Sequence, residues 1–127
     1  MPKFNQRKNM DTKLIYCVRT DLKMGKGKMA AQVGHATLGI YKQNLKEKRL
    51  DILEKWANTG EAKIVVKVAS EREMFQLKRR AEEMKMCTHI VQDAGKTQIA
   101  AGSTTVLAIG PDFQNRLNQV TGHLKLM

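Results

Sequence analysis

The sequence predicts one α/β domain of three layers, a four-stranded mixed sheet with helices on both faces. Short apolar or β-branched runs alternate with longer stretches of helical periodicity, the pattern of a sheet covered by helices. The 127 residues fit one domain, and no repeat, low-complexity stretch or long Gly/Pro/Ser linker divides them. The last two strands follow one another with no helix between them, which favours a mixed sheet over a wholly parallel one. Residues 12–127 are assigned to this domain. Residues 1–11 are expected to form a flexible basic N-terminal arm; their opening stretch has no apolar core of the kind a secretory signal carries.

The first strand is Lys13 to Arg19, nearly continuously apolar, as a strand covered on both faces should be. A loop with Gly25 and Gly27 leads to a helix from Lys28 to about Leu45. Ala30, Ala31, Gly34, Thr37, Leu38 and Tyr41 share one side of it, and their small size suits close packing on a sheet. Lys46 to Asn58 reads as a second helix with Leu50, Leu53 and Trp56 inward, stopped by Thr59-Gly60. The β-branched run within Glu61 to Ala69 predicts the second strand. Ser70 and Glu73 have the spacing of a capping box, opening a helix that buries Met74, Leu77, Ala81 and Met84. Cys87 to Gln92 and Thr104 to Gly110 are the third and fourth strands. Pro111-Asp112 suits the first turn of a last helix reaching about Val120.

A formal net charge of +11 favours polyanionic partners, either nucleic acid or an anionic membrane surface. No apolar run approaches the roughly 20 residues that span a bilayer. The two cysteines, Cys17 and Cys87, form no CxxC pair and lie in apolar strands, so a reduced, cytoplasmic setting is expected. The scattered histidines show no zinc-ligand spacing, so no metal site is predicted. A GxSxG elbow, a P-loop and the base-stacking aromatics of RNA-recognition sheets are also missing.

Three segments carry polar chemistry, and loops at one strand-end edge of an α/β sheet are where ligands bind. The first is Lys23 to Lys28, where Lys26, Lys28 and a helix N-terminus combine ammonium groups with free N–H donors. It reads as an anion site or as a solvated basic loop. The second is the stripe of Lys28, Gln32 and His35, within about 40° of one line along the helix and opposite its small-residue side. His35 there could orient a substrate, bind RNA or lie idle on the surface. The third is Val91 to Thr105, with Asp93 at a strand end and Thr97, Ser103 and Thr105 around it. Such a segment is either an ordinary turn or a catalytic loop in which Asp93 handles a proton and hydroxyls donate hydrogen bonds.

Asp21-Leu22-Lys23-Met24-Gly25-Lys26-Gly27-Lys28-Met29-Ala30-Ala31-Gln32, followed by His35-Ala36, resembles the signature opening of the second (archaeal and eukaryotic) type of peptidyl-tRNA hydrolase. Gln92 to Ala100, Thr105 to Pro111 and Val120 to Leu126 resemble later blocks of the same family, in the right order and spacing. The resemblance runs from about Lys13 to Met127. It implies a four-stranded mixed sheet, a homodimer, no required metal or organic cofactor, and cleavage of the ester joining a peptide to tRNA. By position it puts catalytic roles on Lys28, Asp93 and Thr97, with Thr105 nearby. Lys26, Gln32, His35, Gln98 and Ser103 resemble supporting substrate contacts. Ala101 departs from the family pattern, in which many members have Pro.

An ester is already activated, so a positioned water and a stabilised oxyanion suffice to cut it. Asp93 is expected to orient or deprotonate the water, and Lys28 to stabilise the oxyanion or hold Asp93. Thr97 and Thr105 are expected to fix the geometry, while surrounding Lys and Arg hold acceptor-stem phosphates. Three other functions compete: a non-catalytic RNA binder, a protein-interaction module, and an enzyme acting on a small phosphorylated molecule.

Overall fold

The first strand, β1 (Thr12–Arg19), serves two cores at once. Its alternation sends Leu14, Tyr16 and Val18 to one face and Ile15 and Cys17 to the other, and all five are buried. In the computed structural model, which describes residues 11–95 and 99–127, this strand lies inside a four-stranded sheet. The others are β2 (Lys63–Val68), β3 (Thr88–Gln92) and β4 (Thr104–Phe113), in the order β2-β1-β4-β3. The β1–β2 pair is parallel, while β1–β4 and β3–β4 are antiparallel. The sheet is therefore mixed, as expected. Residues 1–10 of the arm predicted over residues 1–11 lie outside the described residues.

Four helices are present among the described residues: α1 (Lys26–Lys46), α2 (Leu50–Asn58), α3 (Glu71–Glu83) and α4 (Gln114–Thr121). On one face, Ala36 and Ile40 of α1 and Leu53 and Trp56 of α2 pack on Leu14, Tyr16, Val18, Val106 and Ala108. On the other, Met74, Leu77 and Ala81 of α3 and Leu117 and Val120 of α4 pack on Ile15, Cys17, Leu107 and Ile109. Burial pushes the Cys17 thiol up to about 12, with the nearby Glu73 charge adding to it, which keeps it an inert member of the second core. The Ser70 hydroxyl accepts from Glu73 N at 3.1 Å, as the capping pattern predicts. Glu73 reaches back to the amide of Ala69, one residue beyond the cap itself.

Several predicted details differ. The inward side of α1 is Gln32, Ala36, Ile40 and Asn44, at successive i+4 steps. Ala30, Ala31, Gly34, Leu38 and Tyr41, expected inward, are exposed. Small residues occur nearly all round this helix, so composition left its phase undetermined, and polar partners across the sheet allow Gln32 and Asn44 to be buried. Asn44 Nδ2 donates to the carbonyls of Ile40 at 2.8 Å and Gly110 at 2.9 Å. Lys48, in left-handed backbone (φ 58°), separates α1 from α2, and Leu50 at the start of α2 is 56% exposed. Pro111-Asp112 does not begin a helix. It extends β4, because the β1–β4 register shifts between Lys13 and Ile15, so Gly110 and Pro111 lie between the paired residues Ile109 and Asp112. A proline without an N–H is tolerated at such an irregularity.

Candidate active site

Because β3 and β1 are each antiparallel to β4, they run the same way, so their C-terminal ends share one edge with the start of β4. The N-termini of α1 and α3 follow the ends of β1 and β2 at that edge. Two sequence-distant segments meet there. Lys28, in the first turn of α1, directs its ammonium group onto Asp93 Oδ1 just past β3. The Asp93 side chain is 1% exposed and that of Lys28 is 20% exposed, so the pair opens to solvent from the lysine side.

A carboxylate so deeply buried is tolerated only if its charge is compensated and its lone pairs are filled. Lys28 supplies the opposite charge. Asp93 Oδ2 accepts from the amide of Gly95 at 2.9 Å, and the φ of +81° at Gly95 gives that turn a backbone that favours glycine. The main chain of Asp93 is also tied on both sides. Its amide donates to the Ser103 carbonyl at 2.8 Å, and its carbonyl accepts from Gly102 N at 2.9 Å. Both bonds hold Asp93 against the segment that leads into β4.

Beside the pair, one turn along α1 from Lys28, Gln32 is 5% exposed. Its Oε1 accepts from the hydroxyl of Thr105, which is fully buried, at 2.6 Å. Lys28 and Gln32 of the polar stripe thus face the sheet edge, while His35 points to solvent. The structure brings together Lys28, Gln32, Asp93 and Thr105, and ties Ser103 to them through its carbonyl. Lys26 and His35 remain exposed on α1, at its first position and near Gln32. Thr97 and Gln98 lie outside the described residues.

The arrangement offers a fixed carboxylate, an ammonium group within reach of solvent, and the open N-terminus of a long helix. Gly25 precedes that helix with no side-chain cap, and no acidic residue occupies its first turn, so its free N–H groups suit an anion. Among the described residues no group of three His, Cys, Asp or Glu side chains gathers to hold a metal. None of the described helices is long and apolar enough to cross a membrane. A separate groove of about 510 Å³, lined by Leu14, Thr37, Tyr41, Trp56 and Pro111, lies towards the opposite end of β1 from the ion pair.

Sequence reasoning did not single out the groups that surround this cluster. Arg19 Nη1 donates to the Thr104 carbonyl at 3.0 Å, and the Thr104 hydroxyl donates to Glu71 Oε2 at 2.9 Å. One signal was available, a charged residue closing an otherwise apolar strand. It does not reveal which distant carboxylate or carbonyl the arginine meets.

A family model described as peptidyl-tRNA hydrolase PTH2 matches residues 12–127. A Drosophila melanogaster protein named probable peptidyl-tRNA hydrolase 2 is 48% identical over 119 residues, covering 94% of this chain and 63% of its own length. The Homo sapiens protein named peptidyl-tRNA hydrolase 2, mitochondrial, is 46% identical over 114 residues, covering 90% of this chain and 63% of its own. A Thermoplasma volcanium peptidyl-tRNA hydrolase is 42% identical over 118 residues, covering 93% of this chain and all of its own. The chain therefore spans less than two thirds of these eukaryotic relatives and the full length of the archaeal one. With the match running from the first strand to the last residue, this chain belongs to the PTH2 family of peptidyl-tRNA hydrolases.

Proposed function

We propose that this protein hydrolyses the ester between a peptide, or an N-blocked aminoacyl group, and the 3′-terminal ribose of tRNA. The observation that carries the reading is the Lys28–Asp93 pair at the sheet edge, in a chain of this family. Asp93 takes a proton from a water as the water oxygen attacks the ester carbonyl. Lys28 holds the carboxylate in place and, from the exposed side of the pair, stabilises the oxyanion. The bond to the ribose oxygen then breaks, and that oxygen recovers the proton. Thr97 and Thr105 fix the geometry, and Lys26, Gln32, His35, Gln98 and Ser103 serve as substrate contacts. The excess of Lys and Arg supports binding of acceptor-stem phosphates with little regard for sequence.

The same reading includes recycling of tRNA from stalled translation in the cytoplasm, by a homodimer. Exposed Leu38, Tyr41 and Leu45 on α1 support self-association, and sedimentation velocity across a range of concentrations tests it. Activity is tested by incubating purified protein with N-acetylated aminoacyl-tRNA, with and without a chelator. Release of the N-acetylated amino acid in both tubes is expected. Salt-sensitive tRNA binding without ester cleavage in either tube would support the non-catalytic RNA binder instead.

A further inference from the structure

The ion pair lies on the α1 side of the sheet, yet the strand start beside it is held from the α3 side. The β3–β4 register shifts between Val91 and Gln92, so Thr105 is an extra residue between the paired Thr104 and Val106. With alternation broken there, its hydroxyl turns to Gln32 of α1 while that of Thr104 turns to Glu71 of α3. Thr104 is 4% exposed and bonded twice from that side. Its hydroxyl donates to Glu71 Oε2 and its carbonyl accepts from Arg19 Nη1. The same arginine nitrogen lies 3.5 Å from Glu71 Oε2. Arg19 also places Nε and Nη2 on the two carboxylate oxygens of Asp21, at 3.0 and 2.7 Å. This network links the end of β1, the loop after it, the first residue of α3 and the start of β4.

Both chain neighbours of Thr104 enter the candidate site. The Ser103 carbonyl receives the Asp93 amide, and the Thr105 hydroxyl binds Gln32. Holding Thr104 therefore sets where Asp93 and Gln32 stand relative to Lys28. A planar guanidinium can meet two carboxylates and a backbone carbonyl at once, which the point charge of a lysine does less well. The Arg19 side chain is only 11% exposed, so its donors serve the protein and not a phosphate.

We propose that Arg19 and Glu71 are positioning residues for the reaction, clamping Thr104 from the far face so that Asp93 and Lys28 meet correctly. Neither touches the ion pair. The inference rests on the hydrolase reading for its kinetic consequence alone. Small misplacements of reacting groups can cost up to about 100-fold in rate, and partial release of one strand start is expected to cost about tenfold.

The test uses the full chain with Thr104→Val, Glu71→Ala and Glu71→Gln. It measures kcat and KM on N-acetylated aminoacyl-tRNA, tRNA affinity, Tm, and hydrogen exchange at the amides of Asp93 and Gly102. Thr104→Val and Glu71→Ala are expected to lower kcat about tenfold, leave KM and tRNA affinity within about twofold, and speed exchange at both amides. Glu71→Gln keeps an acceptor for the Thr104 hydroxyl and should recover most of the loss. Retained kcat in the first two variants overturns the proposal, as does a raised KM with kcat untouched, which would make these residues substrate contacts. If the parent chain lacks hydrolase activity, the hydrolase reading fails, and exchange alone then decides the clamp: unchanged rates at both amides overturn it. Should Thr104→Val not fold, the Glu71→Ala and Glu71→Gln pair, at a half-exposed position, carries the comparison.

Discussion

The two faces of the sheet are built on different principles. The α3/α4 face is filled by aliphatic and methionine side chains, among them Ile15, Met74, Leu77, Leu107 and Val120. The α1/α2 face admits Gln32, Asn44 and Thr105 into its interior and ends in a buried ion pair. The Thr105 hydroxyl and Gln32 Oε1 meet each other, and Asn44 Nδ2 has two carbonyl acceptors. The face therefore tolerates polar groups that an apolar core would not, although Asn44 Oδ1 is buried without a partner among the described residues. The contrast is one of degree: both faces carry an apolar core, and the α1/α2 face in addition carries the buried polar groups that adjoin the ion pair.

Asp93→Ala and Lys28→Ala test that contrast most severely. Each is expected to lower kcat by about 10²- to 10⁴-fold, as loss of a general base or its partner does, with tRNA affinity much less affected. A loss confined to binding would reassign both residues as contacts. On the other face, Leu77→Ala should reduce stability by about 2–5 kcal/mol in urea unfolding, the usual result of emptying a buried leucine site. Its kcat, measured where the variant is fully folded, should equal the parent's; a matching loss of kcat would mean the faces are not separable.

Asn44→Ala sharpens the comparison at an intermediate level. It leaves the Gly110 carbonyl without its side-chain donor and should cost about 1–3 kcal/mol of stability. Thr105→Val removes the donor to Gln32 and should cost only about 1 kcal/mol while lowering kcat measurably. The smallest effect is at Asp21, whose carboxyl is held below its ordinary value chiefly by the hydrogen bond from Arg19. A depressed folded-state value means stability present above the unfolded value near 3.8 and lost as pH falls through the folded one. Asp21→Asn should therefore destabilise by less than about 1 kcal/mol at pH 7, since the Asp21 carboxylate is 38% exposed, and by less still near pH 3. Urea unfolding at both pH values checks it.

The same contrast explains what sequence reading could reach. On the α3/α4 face the elements were legible, because Ser70 caps α3 and Met74, Leu77 and Ala81 repeat at helical spacing. On the α1 face the reading misplaced the buried side. Gln32 looked solvent-facing because its partner, Thr105, lies 73 residues away. The pairing of Lys28 with Asp93 was expected from their family positions, but nothing local to either residue indicates that Asp93 is buried. Arg19 was read only as the last residue of a strand, since its meaning depends on Glu71 and Thr104.

By itself the sequence determined the four strands, the mixed sheet, the cap of α3 and the residue types of the site, all of which follow from local periodicity, capping spacing and recognisable blocks. Only the tertiary structure decided which side of α1 is buried, that Pro111 continues β4, and how Arg19 clamps the strand beside Asp93. The physical reason is common to all three. Burying a polar group, or interrupting a strand ladder, is favourable only when a distant part of the chain supplies the matching partner, and local pattern carries no record of that partner's position.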